Sequence, residues 1–326
     1  MEDMIMSKYI MKRLLLMLPI LLGVSFIVFA IMSFTPGDPA SAILGTSATK
    51  EQIEKLNEEL GMNDPFLIRY VRYLAGALHG DFGTSYRTGA PVFDEIFSRF
   101  GITFRIGLLA IILSIVIGVP IGVISAVKQY SVIDFVSSIL AMFFAAVPQF
   151  WLAMIFTMVF ALNLGWLPST FTGTITPLHY IMPVVTLAMA TAASIVRLTR
   201  SNMLETIRQD YVRTARAKGA SEGSVVYKHA LRNALLPVIT VVGNQFGYLM
   251  GGTVLVESIF GIPGLGSLTI LSIRSKDIPQ TTACILFLAV LNVIIVLAVD
   301  ILYAYIDPRI KAKYVGGAKK NGKAKA

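Results

Sequence analysis

The chain has 326 residues, of which 55% are hydrophobic and only 14% charged. A soluble domain normally carries about a quarter charged residues, so this composition excludes a soluble globular protein and implies a multi-pass membrane protein. The net charge of +9 need not signal nucleic acid, and the single cysteine, Cys284, sits in an apolar run where it reads as packing and rules out an internal disulfide.

At the N-terminus, Lys8, Lys12 and Arg13 precede an apolar run at 14–34. The run is longer than the core of a signal peptide and ends without a convincing cleavage site, which predicts a first membrane helix. Further runs at 104–127, 133–164, 180–196, 234–256 and 281–306 bring the expectation to six transmembrane helices, an all-α architecture with both termini on one side. Segments on that side hold nineteen Lys and Arg against eight opposite, which predicts cytoplasmic termini in a cell membrane.

The stretch at 35–103, with more acidic than basic residues, has the grammar of an external segment carrying short helices. Thr49 and Gln52 have capping-box spacing, Ile53, Leu56 and Leu60 form a helical stripe, and Gly61 supplies a stop. A second helix is expected next, capped by Asp64, started by Pro65 and buried along Ile68, Val71, Leu74 and Leu78. Such a segment either receives a substrate-delivery protein or forms a small lid on the outer helix ends.

In the second span, Arg105 either snorkels to the interface or takes part in substrate passage. Pro120, Pro148 and Pro183, with Gly118, Gly122, Gly251 and Gly252, mark the second to fifth spans as the packed, pathway-lining set. A kink is expected at Pro148 in the long third span, beside Gln149, which contacts either solute or a neighbouring helix. Trp166 marks an interface. The apolar, glycine-rich run around Gly261 and Pro263 suits a re-entrant turn at an outer gate. Asp300 and Asp307 frame the end of the last span, and the basic tail at 307–326 reads as a disordered end drawn to anionic membrane lipid.

The stretch at 210–237, DYVRTARAKGASEGSVVYKHALRNALLP, is the one long basic interruption in the apolar second half. Asp210 is placed to cap a short helix, Gly219 to stop it in a left-handed conformation, and Ser221 to cap a second. Ala215, Ala217, Gly219 and Ala220 leave the turn nearly bare, flanked by Arg213, Arg216, Lys218 and Glu222. The loop is either an ordinary cytoplasmic basic loop or a docking surface for another protein's backbone.

This stretch resembles the cytoplasmic "EAA" loop of binding-protein-dependent ABC transporter permeases, in the dipeptide/oligopeptide and nickel branch. Arg213, Thr214 and Ala215 stand in the E-A-A places and Gly219 in the place of the family glycine. Leu236-Pro237 comes five residues later than in the general pattern, a departure that resembles the peptide branch. TPGDPA at 35–40, GDFGTSYRTGAPV at 80–92 and ESIFGIPGLGSL at 257–268 are similar to that branch too, in the same order.

The resemblance implies the transmembrane domain of a type I ABC importer: an arm and first helix (1–34), an external segment (35–103), a five-helix permease core (104–306) with its coupling loop at 197–233, and the tail. It implies a second homologous permease subunit, two cytoplasmic ATPase subunits, an external solute-binding protein and a peptide substrate. The ATPase contact falls on Arg213, Ala215, Arg216, Ala217, Lys218, Gly219, Ala220, Ser221 and Glu222. The expected path or gate comprises Pro148, Gln149, Gly251, Gly252, Gly261 and Pro263. Nickel chelates and oligosaccharides are the alternative cargoes within the family.

The residues carry no enzyme chemistry of their own. There is no G-x-x-x-x-G-K-[ST], H-E-x-x-H or G-x-S-x-G run, so a nucleotide must be hydrolysed on another subunit. His79, His179 and His229 are spread over different segments, and neither a metal nor a cofactor is expected. The basic stretches have no aromatic stacking platform, which disfavours nucleic acid. An ion-coupled transporter or channel, the reading from another class, would need a charge relay within the membrane, and the spans offer no evident one.

Overall fold

The computed structural model describes residues 2–35, 38–45, 48–171 and 173–306. The tail with Asp307, the Pro36-Gly37 pair of the TPGDPA run, and the side chains of Lys8, Lys12, Arg13 and Asp300 lie outside what is described. Among the described residues the chain is helical, with a lone bridge between Thr84 and Pro91.

In chain order, α1 (Glu2–Phe34) leads into α2 (Pro39–Leu44), α3 (Lys50–Glu59) and α4 (Phe66–Leu78). Then come α5 (Val92–Val127), α6 (Val132–Ala146), α7 (Gln149–Phe156) with a π-helical continuation at Thr157–Asn163, and α8 (Leu178–Ile207). After these, α9 (Asp210–Ala217), α10 (Glu222–Ser224), a second π-helical turn at Val225–Ala230, α11 (Leu231–Ile259), α12 (Leu265–Arg274) and α13 (Ile278–Ile306) complete the described chain.

Five stretches are long and apolar enough to cross a membrane: Leu15–Phe34, Val92–Val127, Leu178–Ile207, Glu222–Ile259 and Ile278–Val299. The sixth expected span is not one rod. It is the pair α6 and α7, bent by 101° at Val147-Pro148, far more than a kink. Proline has no N–H to continue the α6 ladder and forces its predecessor out of the helical region; Val147 accordingly sits at φ −72°, ψ 125°. Helix α5 begins at Val92, twelve residues before the apolar run at 104–127, because amphipathic turns carry it out of the apolar zone.

The core is built by α5, α8 and α11. Ile106, Ala110 and Ile111 of α5 meet Met182, Leu187 and Ala188 of α8 and Leu249 and Val256 of α11. The α5–α8 seam is closed by glycine. A β-carbon on Gly118 would lie 2.7 Å from Ile195, and one on Gly122 would lie 2.6 Å from Thr199 and 2.8 Å from the Val196 carbonyl. One turn earlier Ser114 donates to the Ala110 and Ala188 carbonyls, at 2.7 and 3.1 Å. With no hydrophobic drive between helices in lipid, such close backbone approach and buried hydrogen bonds hold the seam.

The segment at 35–103 is tied to this frame at two places. Phe29 of α1, Tyr70 of α4 and Ile278 of α13 form a buried cluster flanked by Phe66, Tyr73 and Tyr86. Asp277, 1% exposed just before α13, accepts from Ser85 Oγ (2.5 Å) and from the backbone N–H groups of Arg87 (3.2 Å) and Gln280 (3.1 Å). The GDFGTSYR run is thereby pinned to the core across almost two hundred residues of sequence. The Thr49–Gln52 capping box is formed and Gly61 has φ +67°.

Two expectations for α4 fail. Pro65 takes the cap position without a side-chain bond, while Asp64 pairs with Arg72 at 2.7 Å. The buried face is mainly aromatic, and of the expected aliphatic stripe only Leu74 packs against it. Phe66, Tyr70 and Tyr73 pack on Phe26 and Phe29, leaving Ile68, Val71 and Leu78 exposed. Large flat rings gain more by burial than the competing aliphatic stripe and set the rotation of the helix.

Candidate functional site

The basic stretch folds as a hairpin. Gln209, not Asp210, takes the cap position of α9; Asp210 lies in the first turn, where its charge suits the helix dipole, 3.8 Å from Arg213. At the other end the Gly219 N–H reaches the Arg216 carbonyl (2.9 Å) and the Ala220 N–H the Ala215 carbonyl (3.2 Å). This is the Schellman pattern, and Gly219 adopts the left-handed φ of +82° that it needs. Ser221 then caps α10 by accepting from the Ser224 N–H at 3.4 Å.

Arg216 and Glu222 clasp the turn from outside. The guanidinium donates through Nε (2.8 Å) and Nη2 (3.2 Å) to the two carboxylate oxygens, and the hydrogen bond to Glu222 raises the Arg216 pKa above its ordinary value. The pair is solvent-exposed, so it holds shape more than it adds stability. Arg213, Arg216, Ala217, Lys218, Gly219, Ser221 and Glu222 are exposed, and Ala215 and Ala220 are half-buried. A β-carbon on Gly219 would meet nothing within 4 Å. The tip is therefore a bare, preformed surface.

Its root is buried. Val226, Ala230 and Ala234 pack with Val123 and Ala126 of α5 and Met203 of α8, and Val212 and Val225 are fully buried. Beside this root lies a group that sequence reasoning missed. Asp134, 4% exposed at the start of α6, accepts both Nε (2.6 Å) and Nη2 (2.8 Å) of Arg200 on α8, the Ser125 hydroxyl of α5 (2.5 Å) and the Tyr130 N–H (2.9 Å). One carboxylate knots three helices where the hairpin joins them. Nothing in local sequence pairs residues 134 and 200; only the order Ser131–Asp134 at a helix start gave a signal.

The path candidates fall into two groups. Gly252 sits opposite Gln149, whose Oε1 would lie 3.4 Å from an added β-carbon, so the bend at Pro148 brings Gln149 against α11. Gly251, one residue earlier, is exposed with open space around it. Gly261, at φ +61°, lies apart from these, against Thr170, with Pro263 half-buried beside it.

The glycine-rich run leads into the short apolar helix α12, which folds back onto other helices. Its first N–H groups find acceptors on other helices: Leu265 N–H to Thr103 Oγ1 (2.8 Å), and Gly266 and Ser267 N–H to Glu257 Oε2 (2.7 and 3.1 Å). Thr103 in turn donates to Glu257 Oε1 at 2.7 Å. A β-carbon on Gly266 would lie 2.9 Å from that carboxylate, which accounts for the small residues of the run. Glu257 is fully buried and Asp134 nearly so, two buried carboxylates that the sequence reading did not single out. Both are consumed as hydrogen-bond hubs.

Most of the chain has relatives. Residues 118–312 match the family described as "Binding-protein-dependent transport system inner membrane component", and residues 6–107 match the N-terminal component of the same kind of system. This chain belongs to that family. The permease is 42% identical, over 94% of its own length and 100% of the relative's, to the "Dipeptide transport system permease protein DppB" of Alkalihalophilus pseudofirmus. It is equally 42% identical to the "Oligopeptide transport system permease protein AppB" of Bacillus subtilis, and 41% identical to the "Glutathione transport system permease protein GsiC" of Escherichia coli K12, at the same coverage.

Among solved structures the permease resembles a chain of the inward-facing MetNI methionine ABC transporter, with a TM-score of 0.55 and 20% identity. The likeness covers 65% of this chain and 96% of that one. A chain of an amino acid ABC transporter gives 0.51 over 66% of this chain. At such identities the likeness speaks for the fold, an ABC importer transmembrane domain.

Proposed function

We propose that this chain is one permease subunit of an ABC importer that brings di- or oligopeptides into the cell, with ATP hydrolysed by separate subunits. The observation that carries the reading is the hairpin: a bare, preformed turn whose buried root is continuous with α5, α8 and α11. A turn so held passes displacement of its tip to three packed helices. Small residues at the tip admit a partner's backbone, and Arg213 and Lys218 beside it admit acidic groups.

The complete transporter pairs this subunit with a second homologous permease, two ATPase subunits, each docked on one hairpin, and an external solute-binding protein. Its termini and hairpin face the cytoplasm, in keeping with the distribution of Lys and Arg. Closure of the ATPases moves the hairpins and rocks the core between two arrangements, opening the path past Gln149, Gly251 and Gly252 to each side in turn. Peptide cargo rests on what the dipeptide, oligopeptide and glutathione relatives transport; selectivity is assigned mainly to the binding protein.

The decisive variant is Gly219→Trp in the assembled transporter reconstituted in vesicles. Insertion and ATP hydrolysis are expected to persist while peptide-stimulated hydrolysis and uptake are lost. Uptake at the wild-type rate would remove the hairpin as the ATPase contact.

A further inference from the structure

A cleft opens between α1, α4, the 80–86 loop and the start of α13, away from both the hairpin and the path candidates. It consists of two adjoining cavities of about 260 and 320 Å3 that share Met62, Arg69 and Ile278. The first has Phe29, Tyr73 and Tyr86 in its wall.

Of the charged side chains that line the cleft, Lys276 has a partner of its own, and the others differ in how they are engaged. Arg72 is engaged by Asp64, Asp81 accepts the Gly83 N–H (2.8 Å), and Asp38 accepts the Ala40 N–H (3.2 Å) and the Ser41 hydroxyl (2.7 Å). Arg69, half-buried, has the Met62 sulfur (3.2 Å), the face of the Phe29 ring (5.9 Å) and the nearby Tyr86 phenol for company, with no ion pair to a described carboxylate. A guanidinium withdrawn from water calls for an anion. The Tyr73 hydroxyl is shut off from solvent with no hydrogen-bond partner. Burial raises the Tyr73 pKa and pushes that of Tyr86 up to about 12, so both phenols stay neutral donors.

The setting identifies the source of the anion. Helix α4 crosses α1 near Phe29, where Phe66, Tyr70 and Tyr73 all pack. Phe29 is five residues before the end of α1's apolar span, a depth of about 7.5 Å at 1.5 Å per residue. Helices that lie in a bilayer interface sit roughly 5–10 Å into the headgroup and acyl boundary. Leu67, Val71 and Leu78 of α4 are 63%, 62% and 85% exposed, and Ile27, Ile31 and Phe34 of α1 are exposed as well, so both helices present apolar side chains outward.

We propose that α4 lies in the plane of the membrane leaflet at the Phe34 end of α1, and that the cleft beneath it holds the phosphate of a phospholipid on Arg69. Phe29, Met62 and Ile278 form the apolar wall along which the lipid's glycerol and first acyl carbons run.

The test compares the transporter complex, purified in mild detergent, carrying Arg69→Gln or Arg72→Gln. Native mass spectrometry of the wild type and R72Q should show one retained phospholipid, and R69Q should retain at least about tenfold less, the loss expected for a charge-assisted contact. Adding phosphatidylglycerol to delipidated wild type should raise its thermal midpoint; inorganic phosphate or peptide alone should not. Wild-type retention in R69Q, an equal loss in R72Q, or the same shift from inorganic phosphate would each overturn the lipid site. Should R69Q fail to assemble, Val71→Cys carries a spin label instead, since the native Cys284 is buried and unreactive. Collisions with oxygen favoured over a water-soluble nickel relaxant support the in-plane helix. The reverse, or a label shielded from both, overturns it.

Discussion

Removing Arg200 tests the knot beneath the hairpin. In Arg200→Met the Asp134 carboxylate keeps the Ser125 hydroxyl and the Tyr130 N–H but loses two guanidinium bonds of 2.6 and 2.8 Å while remaining buried. Breaking one side of a buried pair costs about 3–5 kcal/mol, and the 28% exposure of the Arg200 side chain lowers the expectation to about 2–3 kcal/mol. Most of that cost is the stranded charge, not the lost bond. The double variant Asp134→Leu/Arg200→Met should therefore recover at least about half of the loss. Thermal unfolding of the four complexes, followed by size-exclusion chromatography, measures the cycle. Additive losses would refute the reasoning, because they would mean that Asp134 is already solvated and the two side chains act independently. The same four complexes also report coupling: if the knot only stabilises, the peptide-stimulated share of ATP hydrolysis should be unchanged in the double variant.

Three further outcomes follow from the packing. Gly118→Val should abolish assembly of the permease, since its β-carbon alone would lie 2.7 Å from Ile195 and 3.1 Å from the Ala192 carbonyl; expression and gel filtration report it. Gly219→Ala, with open space but φ +82°, should cost only about 1–2 kcal/mol of local stability and preserve uptake. Glu257→Ala should leave the Gly266 and Ser267 N–H groups without acceptors, at about 1–3 kcal/mol each, loosening α12 so that amide exchange there rises well above that in α8.

What the sequence made legible was whatever depends on local rules. The hairpin turn is set by one residue that tolerates left-handed φ, Gly219, and by one cap, Ser221, so four adjacent letters suffice to read it. Apolar length fixes the spans in the same way, since a bilayer asks only for a run of sufficient extent. Reading failed where two local signals compete or where a partner is remote. In α4 both an aliphatic stripe and an aromatic one are present, and which faces inward depends on Phe26 and Phe29, some forty residues earlier. Residues 134 and 200 meet, as do 103, 257 and 266, only after the helices have packed, and no spacing along the chain announces it.

Those remote contacts share a physical pattern that bears on how the hairpin works. Each buried carboxylate stands at a helix end: Asp134 at the start of α6, Glu257 at the close of α11, Asp277 just before α13. In each case it accepts backbone N–H groups or hydroxyls from a different part of the fold. Inside lipid, an unmet donor at a helix end is costly, so the ends are locked to one another while the helix middles meet through small residues such as Gly118 and Ser114. Ends that are bonded and middles that are smooth make a bundle that resists bending yet can pivot as a unit. On the coupling proposed above, a bending bundle would absorb the displacement of a hairpin tip before it reached Gln149 and Gly252, and a pivoting one would deliver it.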